Sequence, residues 1–182
     1  MTGLCLHALS KNEFSEISIN VVLGSMNGNS ETLKSFFANK ANIFFHENLV
    51  DLSSVIAEAH LGIGASGVTT WERMCLGLPS IVVTIAKNQR PTAEALSSDG
   101  YITYIGPAKN VTAPLITSIV NKKILSSDDL VIEAERVKSL VDGNGLFRVA
   151  EAICPTPLSR AVLRHVDQRL LARDFDKEDQ KR

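Results

Sequence analysis

The stretch Gly62-Ile63-Gly64-Ala65-Ser66-Gly67-Val68-Thr69-Thr70-Trp71-Glu72 decides how the chain is read. A short apolar strand over His60 to Ala65 ends in glycine and hydroxyl residues. These lead straight into a helix over Thr69 to Leu76, closed by Gly77. The first turn of a helix leaves backbone N–H groups without intrahelical partners, and its dipole favours negative charge. Gly67 lets a phosphate approach the backbone closely, and Ser66, Thr69 and Thr70 add hydroxyl donors. A plainer reading competes with this one. Thr69-x-x-Glu72 matches a capping box, and the glycines then serve only close strand–helix packing.

Working outward, the pattern on both sides alternates strand and helix. Leu4 to Leu9 has helical spacing. Ile17 to Leu23 is a β-branched run of the kind found in strands buried on both faces. Asn27, Gly28, Asn29 and Ser30 supply turn and cap chemistry for a helix to about Phe37. Ala41 to His46 is a second strand, and Asp51 caps a helix over Leu52 to Ala59. After the central stretch, Pro79 to Ala86 forms a fourth strand. Pro91 opens a helix that Gly100 ends, and Tyr101 to Ile105 forms a fifth strand. Helices follow near Ala113–Asn121 and Asp128–Val141, and a last one runs to about Ile153. Such alternation predicts an α/β, Rossmann-like parallel sheet with helices on both faces. Ligands in such sheets bind beyond the carboxyl ends of the strands. The loops at 24–30, 46–51, 64–70 and 86–91 are therefore the ones to inspect.

The chain has 182 residues, 45% of them apolar, and this suits one domain with a sizeable core. Residues 1–155 are assigned to that domain. Pro155 and Pro157 mark a boundary, and 156–182 is read as a charged, helical extension or linker. Within it Leu158, Val162, Val166 and Leu170 share one helical face. The formal net charge of −1 gives no bulk attraction to nucleic acid or to an anionic membrane. No apolar run is long enough to span a bilayer. Cys5, Cys75 and Cys154 are far apart and odd in number, and the four histidines show no metal-ligand spacing. Three reduced thiols in a cytoplasmic protein are expected, with Cys75 as a small core residue. Neither a metal nor a cofactor is expected.

Two further loops carry candidate ligand groups. Gly24-Ser25 and Asn27 follow the first strand, where an ordinary βα turn is the alternative. Asn88 and Gln89 follow the fourth strand, where helix capping before Pro91 is the alternative. His46 is read as a surface or half-buried histidine rather than a base.

The run Gly64-Ala-Ser-Gly-Val-Thr-Thr-Trp-Glu-Arg-Met-Cys-Leu-Gly-Leu-Pro-Ser-Ile-Val-Val, followed by Asn88-Gln89, resembles the UDP-sugar hydrolases of pseudaminic acid biosynthesis and related spore-coat polysaccharide proteins. The resemblance extends over about residues 3–154, including Asp142-Gly143-x-Gly145 and Arg148-Val-Ala-Glu-Ala-Ile. It implies the C-terminal, nucleotide-binding domain of a two-domain GT-B architecture. It also implies a metal-independent reaction in which a UDP-linked 2,4-diacetamido sugar loses UDP to water. By this resemblance the Ser66–Thr70 loop binds the diphosphate, Glu72 accepts hydrogen bonds from the ribose, and the backbone around His46–Leu49 contacts uracil. Ser25 and Asn27 lie near the nucleotide, and Asn88 and Gln89 near the sugar and the leaving phosphate. Two family features have no counterpart here: an N-terminal domain with the histidine thought to be the base, and the first strand of the C-terminal domain.

The chain alone is therefore expected to be a weak binder of UDP or a UDP-sugar, or an inactive fragment. No residue has an evident claim to activating water. The expected partner is a separate N-terminal half or a second copy of the chain. A glycosyltransferase fragment and a non-catalytic nucleotide-sugar-binding module remain as alternatives.

Overall fold

The structure, a computed structural model, describes residues 1–24 and 28–153. Ser25, Asn27, Cys154 and the expected helix over 158–170 lie outside the described residues. The chain divides into two compact units, Met1–Val141 and a second opening at Asp142.

The first unit alternates helix and strand as expected: α1 (Thr2–Leu9), β1 (Ile19–Leu23), α2 (Ser30–Phe37), β2 (Ile43–Glu47), α3 (Ser53–Glu58), β3 (Gly62–Ala65), α4 (Val68–Cys75), β4 (Ser80–Thr84), α5 (Arg90–Ser98), β5 (Thr103–Pro107), α6 (Ala113–Leu125) and α7 (Ser127–Leu140). Local chemistry sets the boundaries. Asp51 Oδ1 accepts the Ser53 amide at 2.9 Å and so opens α3. Pro91 lies in the first turn of α5. Gly77 and Gly100 close α4 and α5 with φ of 75° and 76°, a backbone region that costs other residues strain.

Every strand pairing is parallel. The strands form two sheets rather than one: β1 pairs with β2, and β3, β4 and β5 pair in that order. One helix bridges the two. Leu6 of α1 is buried with Val21, Leu23, Ile43 and Phe37. Ala8, two residues on, is buried with Ile81 and Val83 of β4. Ile17, just before β1, packs into that second cluster, which puts β1 rather than β2 nearest β3.

The core sits on β4, whose five residues are all buried. Ile81 and Val83 face α1, the turn at Asn12–Phe14 and α6, while Val82 faces α4, α5 and α7 through Met74, Ala93, Leu96 and Val137. This two-sided burial explains the unbroken apolar run in the sequence. Cys75 departs from expectation: it is half-buried, because Arg73 and Met74 take the inner face of α4.

The second unit contains α8 (Gly145–Ile153). Asp142 accepts the Asn144 amide at 3.1 Å and Arg148 Nη1 at 2.9 Å, tying the glycine turn to the helix it precedes. Its carboxyl is held below the usual carboxylate range, chiefly by Arg148 and then by the Asn144 amide.

Ile81, with no exposed surface, is expected to be the costliest kind of truncation. Ile81→Ala lowers the unfolding free energy by about 2–5 kcal/mol. Val131→Ala, at an exposed position of α7, changes it by less than about 0.5 kcal/mol. Urea titration followed by circular dichroism checks both.

Candidate functional site

The carboxyl ends of β3 and β4 meet the start of α4 and the turn at Lys87–Gln89. Between them lies a cleft of about 180 Å³, bordered by Ser66, Gly67, Thr70, Asn88, Gln89 and Thr92. A broader, flatter depression of about 550 Å³ runs along α2 between Glu31 and Phe36. One helix surface forms it, away from the strand ends, so it lacks the convergent polar groups expected of a ligand site.

Not every group in the β3–α4 turn is available to a ligand. The Ser66 amide donates to Val83 O at 2.8 Å, continuing the sheet. The Gly67 amide donates to Thr70 Oγ1 at 3.2 Å, and the Thr70 amide donates back to Gly67 O at 3.0 Å. Thr70 Oγ1 in turn donates to Ala65 O at 3.3 Å. Thr70, almost fully buried, therefore braces the turn. The capping contact uses Gly67 and Thr70, not Thr69 and Glu72: the helix is capped at Gly67, two residues before Thr69.

What remains free is a smaller set beside the cleft. The amides of Val68 and Thr69 occupy the first two positions of α4 and have no protein acceptor among the described residues. Ser66, only 4% exposed, borders the cleft, and its hydroxyl makes no hydrogen bond among the described residues. Gln89 Oε1 accepts the Ile85 amide at 2.9 Å and the Ala86 amide at 3.4 Å. That anchorage turns the other end of the amide, Nε2, toward Gly67; a Cβ there would lie 4.0 Å from it. Gln89 thus borders the cleft while its side chain closes the turn at Lys87–Gln89; it makes no cap hydrogen bond to α5. Gly67 itself is extended, with φ of −153°, and the space over it is open.

The remaining candidates are more peripheral. Glu72 is exposed on α4, outside the cleft lining, and its carboxylate makes no hydrogen bond or ion pair among the described residues. His46, at the end of β2, shares a hydrogen bond with Asn20 Oδ1 through Nε2 at 2.8 Å. Asn48 follows with φ of 54°, a conformation that asparagine tolerates better than most residues. Among the described residues no group of three or more His, Cys, Asp or Glu is placed to hold a metal ion.

Sequence reading missed Arg73. Its side chain lies flat on the glycines of β3, only 8% exposed: a Cβ at Gly64 would lie 2.6 Å from Nη1, and one at Gly62 would lie 3.1 Å from Cδ. Nε donates to Ser80 Oγ at 3.0 Å, and Nη2 to Thr70 Oγ1 at 3.2 Å. Gly64 thus lies against the guanidinium, and Gly62 against Leu78 and the Arg73 stem, so both glycines serve close strand–helix packing. The available signal was the helical spacing of Thr70 and Arg73 on the inner face of α4.

No protein-family model matches the chain. Spore coat polysaccharide biosynthesis protein SpsG of Bacillus subtilis (strain 168) is 26% identical over 129 residues, which is 70% of this chain and 38% of that protein. Among solved structures, UDP-GlcNAc 2-epimerase from Neisseria meningitidis bound to UDP-GlcNAc aligns with a TM-score of 0.63 and 18% identity, over 85% of this chain and 40% of that one. WaaG, a glycosyltransferase involved in lipopolysaccharide biosynthesis, aligns with a TM-score of 0.61 and 18% identity, over 83% of this chain and 42% of that one. The chain thus spans about two fifths of the length of each. The fold is the Rossmann-like domain of the GT-B glycosyltransferase type.

The division of labour between the two threonines is testable by denaturation. Thr70→Val leaves the Gly67 amide and the buried Arg73 short of an acceptor and costs about 1–3 kcal/mol. Thr69→Val, at a half-buried position, costs less than about 1 kcal/mol. Equal losses would contradict the bracing role of Thr70.

Proposed function

We propose that this domain binds UDP or a UDP-linked sugar at the β3–α4 turn. In a longer two-domain protein it would serve the release of UDP from a UDP-linked 2,4-diacetamido-trideoxy sugar by hydrolysis, in the building of a surface polysaccharide or glycan. One observation carries the reading. The unspent donors of the turn, the Val68 and Thr69 amides and the Ser66 hydroxyl, collect where the helix dipole is positive, with Gln89 Nε2 across the cleft. Donors fixed in this way stabilise the charge that grows on a leaving diphosphate and need no reorganisation during the reaction. Glu72, free and exposed beside them, is assigned the ribose hydroxyls, and the backbone of 46–49 the uracil. Asn88 is assigned the sugar side. Ser25 and Asn27 keep their proposed place near the nucleotide.

The likeness to a spore coat polysaccharide protein and to an enzyme solved with UDP-GlcNAc supports this reading. Glycosyl transfer is the second reading, favoured by the likeness to WaaG. The two differ in what attacks the anomeric carbon, and in this proposal that side of the reaction belongs to another domain. Cleft size supports the division: about 180 Å³ holds part of a nucleotide sugar, whereas sites that enclose ligands of that size run to about 300–1,000 Å³.

Calorimetric titration with UDP tests the reading. Saturable binding is expected, weakened about tenfold or more by Glu72→Ala, which removes an exposed carboxylate that makes no hydrogen bond or ion pair among the described residues. Absence of binding by the folded chain at millimolar UDP would overturn the nucleotide site. Equal affinity of the variant would overturn the ribose role of Glu72.

A further inference from the structure

Arg73 presents a physical anomaly. It is a cation more than nine-tenths buried, yet it makes no ion pair among the described residues. Its acceptors are neutral: Ser80 Oγ at 3.0 Å, Thr70 Oγ1 at 3.2 Å, and Thr69 Oγ1 and Ala65 O at 3.4 Å. Burying an unpaired charge opposes folding. Burial pulls its pKa below the ordinary arginine value, opposed by the exposed Glu72 next to it in the chain. Arginine nonetheless keeps its proton.

Nor does the fold need this guanidinium to satisfy its acceptors. Ser80 Oγ donates to Leu78 O at 3.0 Å. Thr70 Oγ1 already accepts from Gly67 and donates to Ala65 O. Thr69 is half-buried and reaches solvent. Removing Arg73 therefore strands no buried polar group. Two glycines, Gly62 and Gly64, lie against it.

We propose that Arg73 is a positioning residue and the fixed positive charge of the anion site, which makes the cleft select a diphosphate over a singly charged or neutral ligand. The charge lies under the first turn of α4, within hydrogen-bond distance of the Thr69 and Thr70 hydroxyls and outside the cleft lining. A charge held there adds to the helix dipole at the Val68 and Thr69 amides. Its field is little screened because water is excluded around it. An incoming dianion supplies the counter-charge that the protein withholds.

The proposal rests on the anion-site reading above, and the test separates the two. Wild type, Arg73→Met and Arg73→Lys are titrated with UDP, uridine and inorganic pyrophosphate, with urea denaturation in parallel. Methionine fills similar space without charge; lysine keeps the charge without the fork. Arg73→Met is expected to be as stable as wild type or more so, while its affinity for UDP and pyrophosphate falls at least about tenfold and that for uridine is unchanged. Arg73→Lys is expected to retain most of the preference for UDP over uridine. Undiminished UDP or pyrophosphate binding by the methionine variant overturns the role of Arg73. So does an equal fold-loss for UDP and uridine, and so does wild type that binds neither anion. Pyrophosphate binding that depends on Arg73, without UDP binding, upholds the charge and strikes the nucleotide reading alone. Should the methionine variant fail to fold, loss of the UDP preference in folded Arg73→Lys overturns the proposal, and its retention supports it.

Discussion

Burial of β4 on both faces is the constraint from which the rest of the first unit follows. Five consecutive residues without a solvent side must be covered by helices above and below, and parallel neighbours must satisfy their backbone on either edge. Those demands place α1 and α6 on one face and α4, α5 and α7 on the other. They also bring the ends of β3 and β4 level, so that the turns after them face each other across the cleft. The site is a consequence of the core: Ser66 hydrogen-bonds to Val83, and Gln89 is anchored to the residues that immediately follow β4.

Within that frame the β3–α4 turn divides its polar groups into two sets. One set holds the turn together, with Thr70 at its centre. The other, the Val68 and Thr69 amides and the Ser66 hydroxyl, is left without protein partners among the described residues, and Ser66 borders the cleft. A hydrogen-bond inventory makes the distinction, and residue type alone does not, since Thr69 and Thr70 are chemically identical. A site built in this way is ready before its ligand arrives, which is what electrostatic preorganisation requires.

The alternation of strand and helix was legible because each element carries its own local signal: the β-branched run at Ile81–Val83, the proline at the start of α5, the glycines at positive φ after α4 and α5. That the turns after β3 and β4 share an edge was legible as well, and Ser66, Gly67, Thr70, Asn88 and Gln89 border one cleft there, whereas Thr69 and Glu72 do not. Three features were not. The division into two sheets is a matter of which edges pair, and the periodicity of β1 and β3 says nothing about that. The choice between Thr69 and Thr70 turned on where α4 is capped. Arg73 was hidden because a charged residue in a helix is ordinarily on the surface, and its burial shows only when Gly62 and Gly64 are seen beneath it.

The account stands or falls on the division between spent and unspent backbone donors at the start of α4. Amide-resolved nuclear magnetic resonance during a UDP titration tests it most directly. The largest shifts are predicted at Val68 and Thr69, with a smaller response at the Gln89 side-chain amide and little change at the Ser66 and Thr70 amides, which are engaged within the protein. Shifts concentrated along α2 between Glu31 and Phe36, or spread evenly over the domain with Val68 and Thr69 unmoved, would contradict it.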